Sequence, residues 1–153
     1  MIRKATEKDL CRIAEIIVFN NRVNYYPIFG DIRFSFGECN VLKIIDMLGN
    51  DEKFMSGCYV FDDEVIKGMV SVSDGEILKL YVDTFFQNRG IGSKLTDFAV
   101  DTLVADNLWA LRKNEGALRF YRRHGFIPNG DEKLEEGTSE HLIQLIKSYD
   151  TEK

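Results

Sequence analysis

The run Gln87-Asn88-Arg89-Gly90-Ile91-Gly92-Ser93 follows a strand-like stretch, Ile77 to Val82, and opens a helix marked by Ile91, Leu95, Phe98, Ala99 and Leu103. Leu108 to Leu111 then reads as a short apolar strand, so strand, glycine turn, helix and strand succeed one another as a parallel βαβ unit. Gly90 and Gly92 let the backbone approach a ligand without Cβ interference, and the N–H groups of the first helical turn lack partners within the helix. Such a turn is an anion cradle with phosphate as its natural guest, or an ordinary tight turn; the flanks decide between them.

The flanks read clearly for the most part. Ile2 to Ala5 suits a short strand, and Thr6 with Asp9 forms a T-x-x-D capping box ahead of an amphipathic helix carrying Leu10, Ile13, Ala14 and Ile17, which ends near Asn20. Residues 21 to 39, rich in Asn, Tyr, Phe and Gly with Pro27 inside, read as a broken second helix or a loop bordering a pocket. Asn40 caps a further helix through Val41, Leu42, Ile44, Ile45 and Leu48, which Gly49-Asn50-Asp51 ends. Cys58 to Phe61, Val65 to Val72 and Glu76 to Val82, separated by short turns, predict an antiparallel meander. Glu115 to His124 predicts a helix with Ala117, Phe120, Tyr121 and His124 on one stripe and Gly125 as its stop; Phe126 to Pro128 begins a strand. The stripe Leu142, Ile143, Leu145 and Ile146 fits a helix or a strand buried on both faces.

At 153 residues with no Pro/Gly/Ser-rich linker, the chain is expected to form one domain over 1–153. It shows no apolar run near the ~20 residues that cross a bilayer, and Met1 to Glu7 lacks a signal-peptide core, so no membrane association and a cytoplasmic location are expected. Cys11, Cys39 and Cys58 are scattered without C-x-x-C spacing, which favours buried thiols over a disulfide framework or a zinc site, and no metal is expected. The formal charge of −5 argues against nucleic acid as a partner. Between Phe86 and Phe126, however, seven basic side chains face four acidic ones, leaving −8 for the rest of the chain. That split suits a small polyanionic cofactor and a cationic second substrate, or else ordinary solvated helix faces.

Taken together, Glu76-Ile77-Leu78-Lys79-Leu80-Tyr81-Val82, then Gln87-x-x-Gly90-x-Gly92, then Asn114-x-x-Ala117-x-x-x-Tyr121-x-x-x-Gly125-Phe126, the chain resembles the GCN5-related N-acetyltransferase (GNAT) family. The resemblance spans essentially the whole chain, with 21 to 56 falling in the family's variable acceptor-binding region. It implies a mixed α/β (α+β) fold: a twisted sheet of about seven strands flanked by about four helices, the fourth and fifth strands splayed to admit the pantetheine arm of coenzyme A. It further implies acetyl-CoA as cosubstrate. The pyrophosphate would rest on the backbone N–H groups of Arg89, Gly90, Ile91, Gly92 and Ser93, with Gln87 and Asn88 completing the coenzyme-binding turn and the side chains of Asn88 and Ile91 mattering little. Main-chain groups of Leu80 and Val82 would pair with the pantetheine amides, while Asn114 and Ala117 would meet the coenzyme arm. Leu80 and Val82 are core residues on the bare pattern, and Asn114 is a helix cap; neither role excludes the other.

Acyl transfer from a thioester to an amine needs a neutral amine, support for a tetrahedral oxyanion and a proton for the departing thiolate. By the resemblance Tyr121 supplies that proton; by pattern alone it is an aromatic on an apolar stripe. Glu76, eleven residues before Gln87, matches the family's histone-acetylating glutamate base, with a water chain as the alternative and a solvated strand end as the bland reading. His124 is a further base candidate or a cation at a helix C-terminus. The backbone N–H of Val82 is the implied oxyanion donor. Bacterial enzymes that acetylate ribosomal-protein N-termini carry a glutamate on the fifth strand where Trp109 stands here, which speaks against that substrate. The leading expectation is an N-acetyltransferase acting on a primary amine of a small molecule, with a peptide or protein amine as the other acceptor. A coenzyme A-binding module without catalysis and an aminoacyl-tRNA acetyltransferase are the competing readings. Homodimers are frequent in the family, and Tyr25, Tyr26, Phe29, Phe34 and Phe36 suit pocket walls or a subunit contact.

Overall fold

A computed structural model describes residues 1–149; the last residues of the expected 1–153 domain lie outside that range. β1 (Ile2–Lys4) leads through a 3₁₀ turn, Glu7–Asp9, into α1 (Leu10–Asn20). Asp9 fixes this entry: its Oδ2 accepts the Thr6 N–H at 2.8 Å, and its two oxygens take the Arg3 guanidinium at 2.9 and 3.0 Å. The guanidinium holds the Asp9 carboxyl down to about 2.

Beyond α1 the chain stays helical. A π-helical turn, Asn21–Tyr25, passes into α2 (Tyr26–Phe29), which Gly30 stops at φ 67°, and a second π turn follows at Phe34–Glu38. The broken-helix reading of this stretch holds and the loop reading does not: Pro27 sits in the first turn of α2, where its missing N–H leaves no helical bond unmade. α3 (Val41–Gly49) is capped by Asn40, whose Oδ1 accepts the Lys43 N–H at 3.0 Å. Asp51 then caps a short α4 (Glu52–Ser56) that the sequence pattern did not announce, accepting the Phe54 N–H at 3.0 Å.

The remaining elements are β2 (Cys58–Asp63), β3 (Val65–Ser73), β4 (Glu76–Val82), α5 (Ile91–Asp101), β5 (Asn107–Leu111), α6 (Glu115–Arg123), β6 (Phe126–Leu134) and β7 (His141–Lys147). They complete a seven-stranded sheet of order β1-β2-β3-β4-β5-β7-β6, antiparallel throughout except for β4 with β5. The ambiguous tail is a strand, because β7 lies between β5 and β6 and pairs with both, but it is not buried on both faces: Leu145 is buried while Ile146 is 37% exposed. β6 extends past Pro128 to Leu134 by an irregularity at Asn129 to Asp131, with Gly130 at φ 97°. α5 stops at Asp101, short of the expected Leu103.

Strand alternation divides the core between the two faces of the sheet. Cys58, Val60 and Met69 pack with Ile13, Ile16 and Ile17 of α1 and with Leu48 and Phe54. On the other face Val70, Val72, Ile77 and Val82 meet Ile91, Leu95 and Ala99 of α5, with Tyr121 and Phe126. Gly68 lets α5 lie close, since a Cβ there would stand 3.0 Å from Leu95 Cδ1. Buried thiols were expected throughout, and the structure corrects this for Cys11, which is exposed; Cys39 and Cys58 are buried, and burial pushes the Cys58 thiol up to about 12. No helix among the described residues is long and apolar enough to cross a membrane.

Candidate active-site cleft

The parallel pair at the centre of the sheet is joined at only two positions, Glu76 with Asn107 and Ile77 with Leu108. Immediately beyond, the β3–β4 ladder slips from Val72↔Ile77 to Ser71↔Lys79, leaving Leu78 as an extra residue on β4. A bulge bends and twists the strand that carries it. From there β4 and β5 diverge, and the wedge between them belongs to a cleft of about 1570 Å³.

The ladder register decides which main-chain groups face the wedge. Asp83 donates its N–H to Lys67 O at 2.9 Å. Paired groups alternate along an antiparallel strand, so Tyr81 and Lys79 also bond toward β3, while Leu80 and Val82 turn their N–H and C=O groups toward the gap left by β5. The Val82 carbonyl is already taken: it accepts from Asn20 Nδ2 at 3.0 Å and Gln87 Nε2 at 3.1 Å. Asn20, 2% exposed, ties the end of α1 to the end of β4. No sequence pattern marked it, because its position on α1 resembles any polar residue near a helix end.

At the mouth of the wedge a 3₁₀ turn, Thr84–Phe86, leads into the glycine run. Asn88 (φ 63°) and Gly90 (φ 85°) are left-handed, a conformation Gly reaches without strain and Asn more readily than most other residues. The first helical bond of α5 runs from Lys94 N–H to Gly90 O, and among the described residues no acceptor meets the N–H groups of Ile91, Gly92 and Ser93. Gly92 packs against α6, where a Cβ would stand 3.3 Å from the Phe120 ring. Ile91, in the first turn of α5, is buried in the core, and the Arg89 guanidinium lies 5.7 Å from the Phe86 ring; neither side chain lines the cleft, whereas Gln87, Asn88, Gly90, Gly92 and Ser93 do.

Across the wedge, Asn114 caps α6 by accepting the Ala117 N–H on Oδ1 at 3.2 Å, which leaves its amide nitrogen for the cleft. One turn further, Tyr121 is held by Phe120 and Phe126, ring centroids 5.1 and 5.9 Å away. Its hydroxyl makes no hydrogen bond to a described residue, and the side chain lines the cleft. Burial, with the Tyr25 phenol adding to it, raises this phenol well above its ordinary value.

Two base candidates lie elsewhere. Glu76 pairs with Ser73 and Asn107 at the end where β4 and β5 are still joined, and the cleft lining begins one residue later at Ile77. His124 sits between α5 and α6, with Nε2 3.1 Å from Ser93 Oγ and Nδ1 3.8 Å from Asp97; burial lowers its proton affinity.

The part of the cleft away from the glycine run is walled by the helical stretch after α1, by β4 and by residues 135–140 between β6 and β7. Tyr25 and Tyr81 share a hydroxyl hydrogen bond of 3.1 Å there, and burial raises both phenols. Asp31, Glu38, Glu135, Glu136 and Glu140 stand around it, and Lys79 reaches in from β4. The aromatic density of 21 to 39 hinted at this wall; Lys79 and Tyr81 were hidden within an ordinary strand. Trp109 of β5 also lines the cleft, with Lys133 Nζ 4.2 Å from its ring. Among the described residues no group of three or more His, Cys, Asp or Glu could hold a metal ion.

Comparison with known proteins agrees with this architecture. Residues 55–128 match the family model described as an acetyltransferase (GNAT) domain. The chain superposes on PH1933 from Pyrococcus horikoshii OT3 at TM-score 0.72 and 22% identity, covering 98% of each chain. An N-acetyltransferase from Staphylococcus aureus Mu50 gives 0.72 and 19%, covering 95% of this chain and 99% of that one. The PaiA N-acetyltransferase from Thermoplasma acidophilum, solved with coenzyme A, gives 0.66 and 18%, covering 97% and 98%. At these identities the likeness is one of fold, and it is the splayed mixed sheet that the motifs led one to expect.

Proposed function

We propose that this chain, which has the GNAT fold and carries the GNAT acetyltransferase domain, moves the acetyl group of acetyl-CoA to a primary amine of a small molecule by direct attack. The family match supports acetyl transfer in general; the amine and its size are our reading. One observation carries it: unpaired main-chain groups on β4, free N–H groups at the start of α5 and the Tyr121 hydroxyl all border a single wedge.

In this reading the N–H groups of Ile91, Gly92 and Ser93 receive the pyrophosphate, where the dipole of α5 also favours negative charge. Main-chain groups of Leu80 pair with the pantetheine amides like an added strand, while Val82, its carbonyl held by Asn20 and Gln87, offers only its N–H. The Asn114 amide nitrogen contacts the arm, and the Val82 N–H supports the oxyanion. Tyr121, protonated throughout the neutral range, donates to the departing sulfur. Because Glu76 lies outside the cleft lining, the amine proton leaves through water in the half walled by Tyr25 and Tyr81. A single domain acting in the cytoplasm is part of the same proposal.

Titration calorimetry with acetyl-CoA and CoA, followed by thiol release across a panel of amines, tests this. Uptake without turnover on any amine would favour a binding module. No uptake at millimolar ligand would end the acetyl-transfer reading.

A further inference from the structure

Among the described residues that line the acceptor half of the cleft, Lys79 is the one basic side chain that is not freely solvated. Lys43, the other lysine there, is exposed, whereas Lys79 is half-buried on β4. Its ammonium makes no hydrogen bond or ion pair with a described residue, although Glu135, Cys39 and Asp51 act on it from a distance. Burial therefore weakens its hold on a proton. An ammonium withdrawn from water without a counter-charge is costly, and an anion brought in by a ligand removes that cost.

Its neighbourhood suits one kind of anion. Residues two apart on a strand share a face, so Lys79 stands beside Tyr81, whose hydroxyl is bonded to that of Tyr25. One hydrogen serves that bond, and the pair keeps a second hydrogen to donate. An ammonium and a hydroxyl carried on the same face of β4 and lining the same cleft match the oxygens of a carboxylate. The surrounding carboxylates of Asp31, Glu38 and Glu135 favour the ammonium that an amine acceptor carries before it is deprotonated. Opposite fields in one pocket suit a molecule bearing both charges.

Resting on the acetyl-transfer reading above, we infer that Lys79 holds a carboxylate of the acceptor, and that the substrate class is amines that also carry a carboxylate, amino acids above all. Lys79 is thus a specificity-determining residue.

The test compares kcat/KM for the common α-amino acids, each against its own carboxamide, with short diamines as a third arm, using the full chain and acetyl-CoA. The wild type is expected to prefer the acid over its amide by roughly ten- to a hundredfold, the factor for one charge-assisted hydrogen bond, with the difference carried in KM. In Lys79→Gln the acid-to-amide ratio falls toward one, and in Lys79→Arg most of it is retained. A wild type that prefers amides or diamines overturns the inference, whatever the variants do. So does a Lys79→Gln protein that keeps the wild-type ratio. In both cases acetyl-CoA uptake and turnover stand, so the acetyl-transfer reading survives; absence of acetyl-CoA uptake overturns both.

Discussion

Replacing Tyr121 with Phe removes one oxygen from the wedge and little else. The ring stays between Phe120 and Phe126, and the lost hydroxyl had no described protein partner. Folding stability should change by no more than about 0.5 kcal/mol, the range of substitutions that break no buried contact. The chemical cost is of another size. Positioned proton donors contribute roughly 10²–10⁴-fold, about 2.7–5.4 kcal/mol of barrier. The leaving thiolate, whose conjugate acid lies near ~8.5, is a weak enough base for water to protonate it in part, which places the expectation near the lower end, roughly 10²-fold in kcat. Because the hydroxyl acts on charge that develops in the transition state, the KM for acetyl-CoA should stay within about twofold. Steady-state thiol release alongside a thermal melt measures both quantities. An unchanged kcat in a variant that melts with the wild type refutes the donor role and leaves Tyr121 as packing.

Other consequences can be checked with the same assays. Gly90→Ala meets no neighbouring atom but forces a side chain into φ 85°, so it should cost roughly 1–2 kcal/mol of stability and weaken acetyl-CoA binding by calorimetry more than it alters kcat. Asn20→Ala removes the buried amide that bonds Ile16 O and Val82 O, and a loss of roughly 1–3 kcal/mol in denaturant unfolding is expected, with melting unchanged as the contrary result. Asp9, held down to about 2 by Arg3, gives stability that is complete above its unfolded value near ~3.9 and disappears as pH falls toward 2; Asp9→Asn should lower stability at pH 7 and flatten that acid limb. At the alkaline end the folded chain keeps phenolic protons on Tyr25 and Tyr121 that the unfolded chain releases above pH ~10, so stability should fall there, and Tyr25→Phe should make the fall shallower.

Much of the fold was legible because its signals are local. The stripe of α1, the Asn40 cap, the hairpin turns of the meander and the Gly125 stop each follow from a few adjacent residues, and all appear where periodicity and turn chemistry put them. The tail was not legible, since an apolar run beside neither cap nor turn signal satisfies a helix and an interior strand alike; only pairing with both β5 and β6 settles it. Asp51 as the cap of α4 was not legible, because a residue that ends one helix can begin the next.

The same division runs through the cleft. By itself the sequence determined the glycine turn, the helix it opens and the spacing from Asn114 to Tyr121, because each lies within one element or one turn of chain. Tertiary structure alone decided that β4 leaves β5 after two paired positions and that Glu76 falls at the closed end. It also brought Tyr25 against Tyr81, 56 positions later in the chain, and left Lys79 half-buried with no hydrogen-bond or ion-pair partner among the described residues. Burial and strand divergence depend on which distant segments pack together, and no window of neighbouring residues records that.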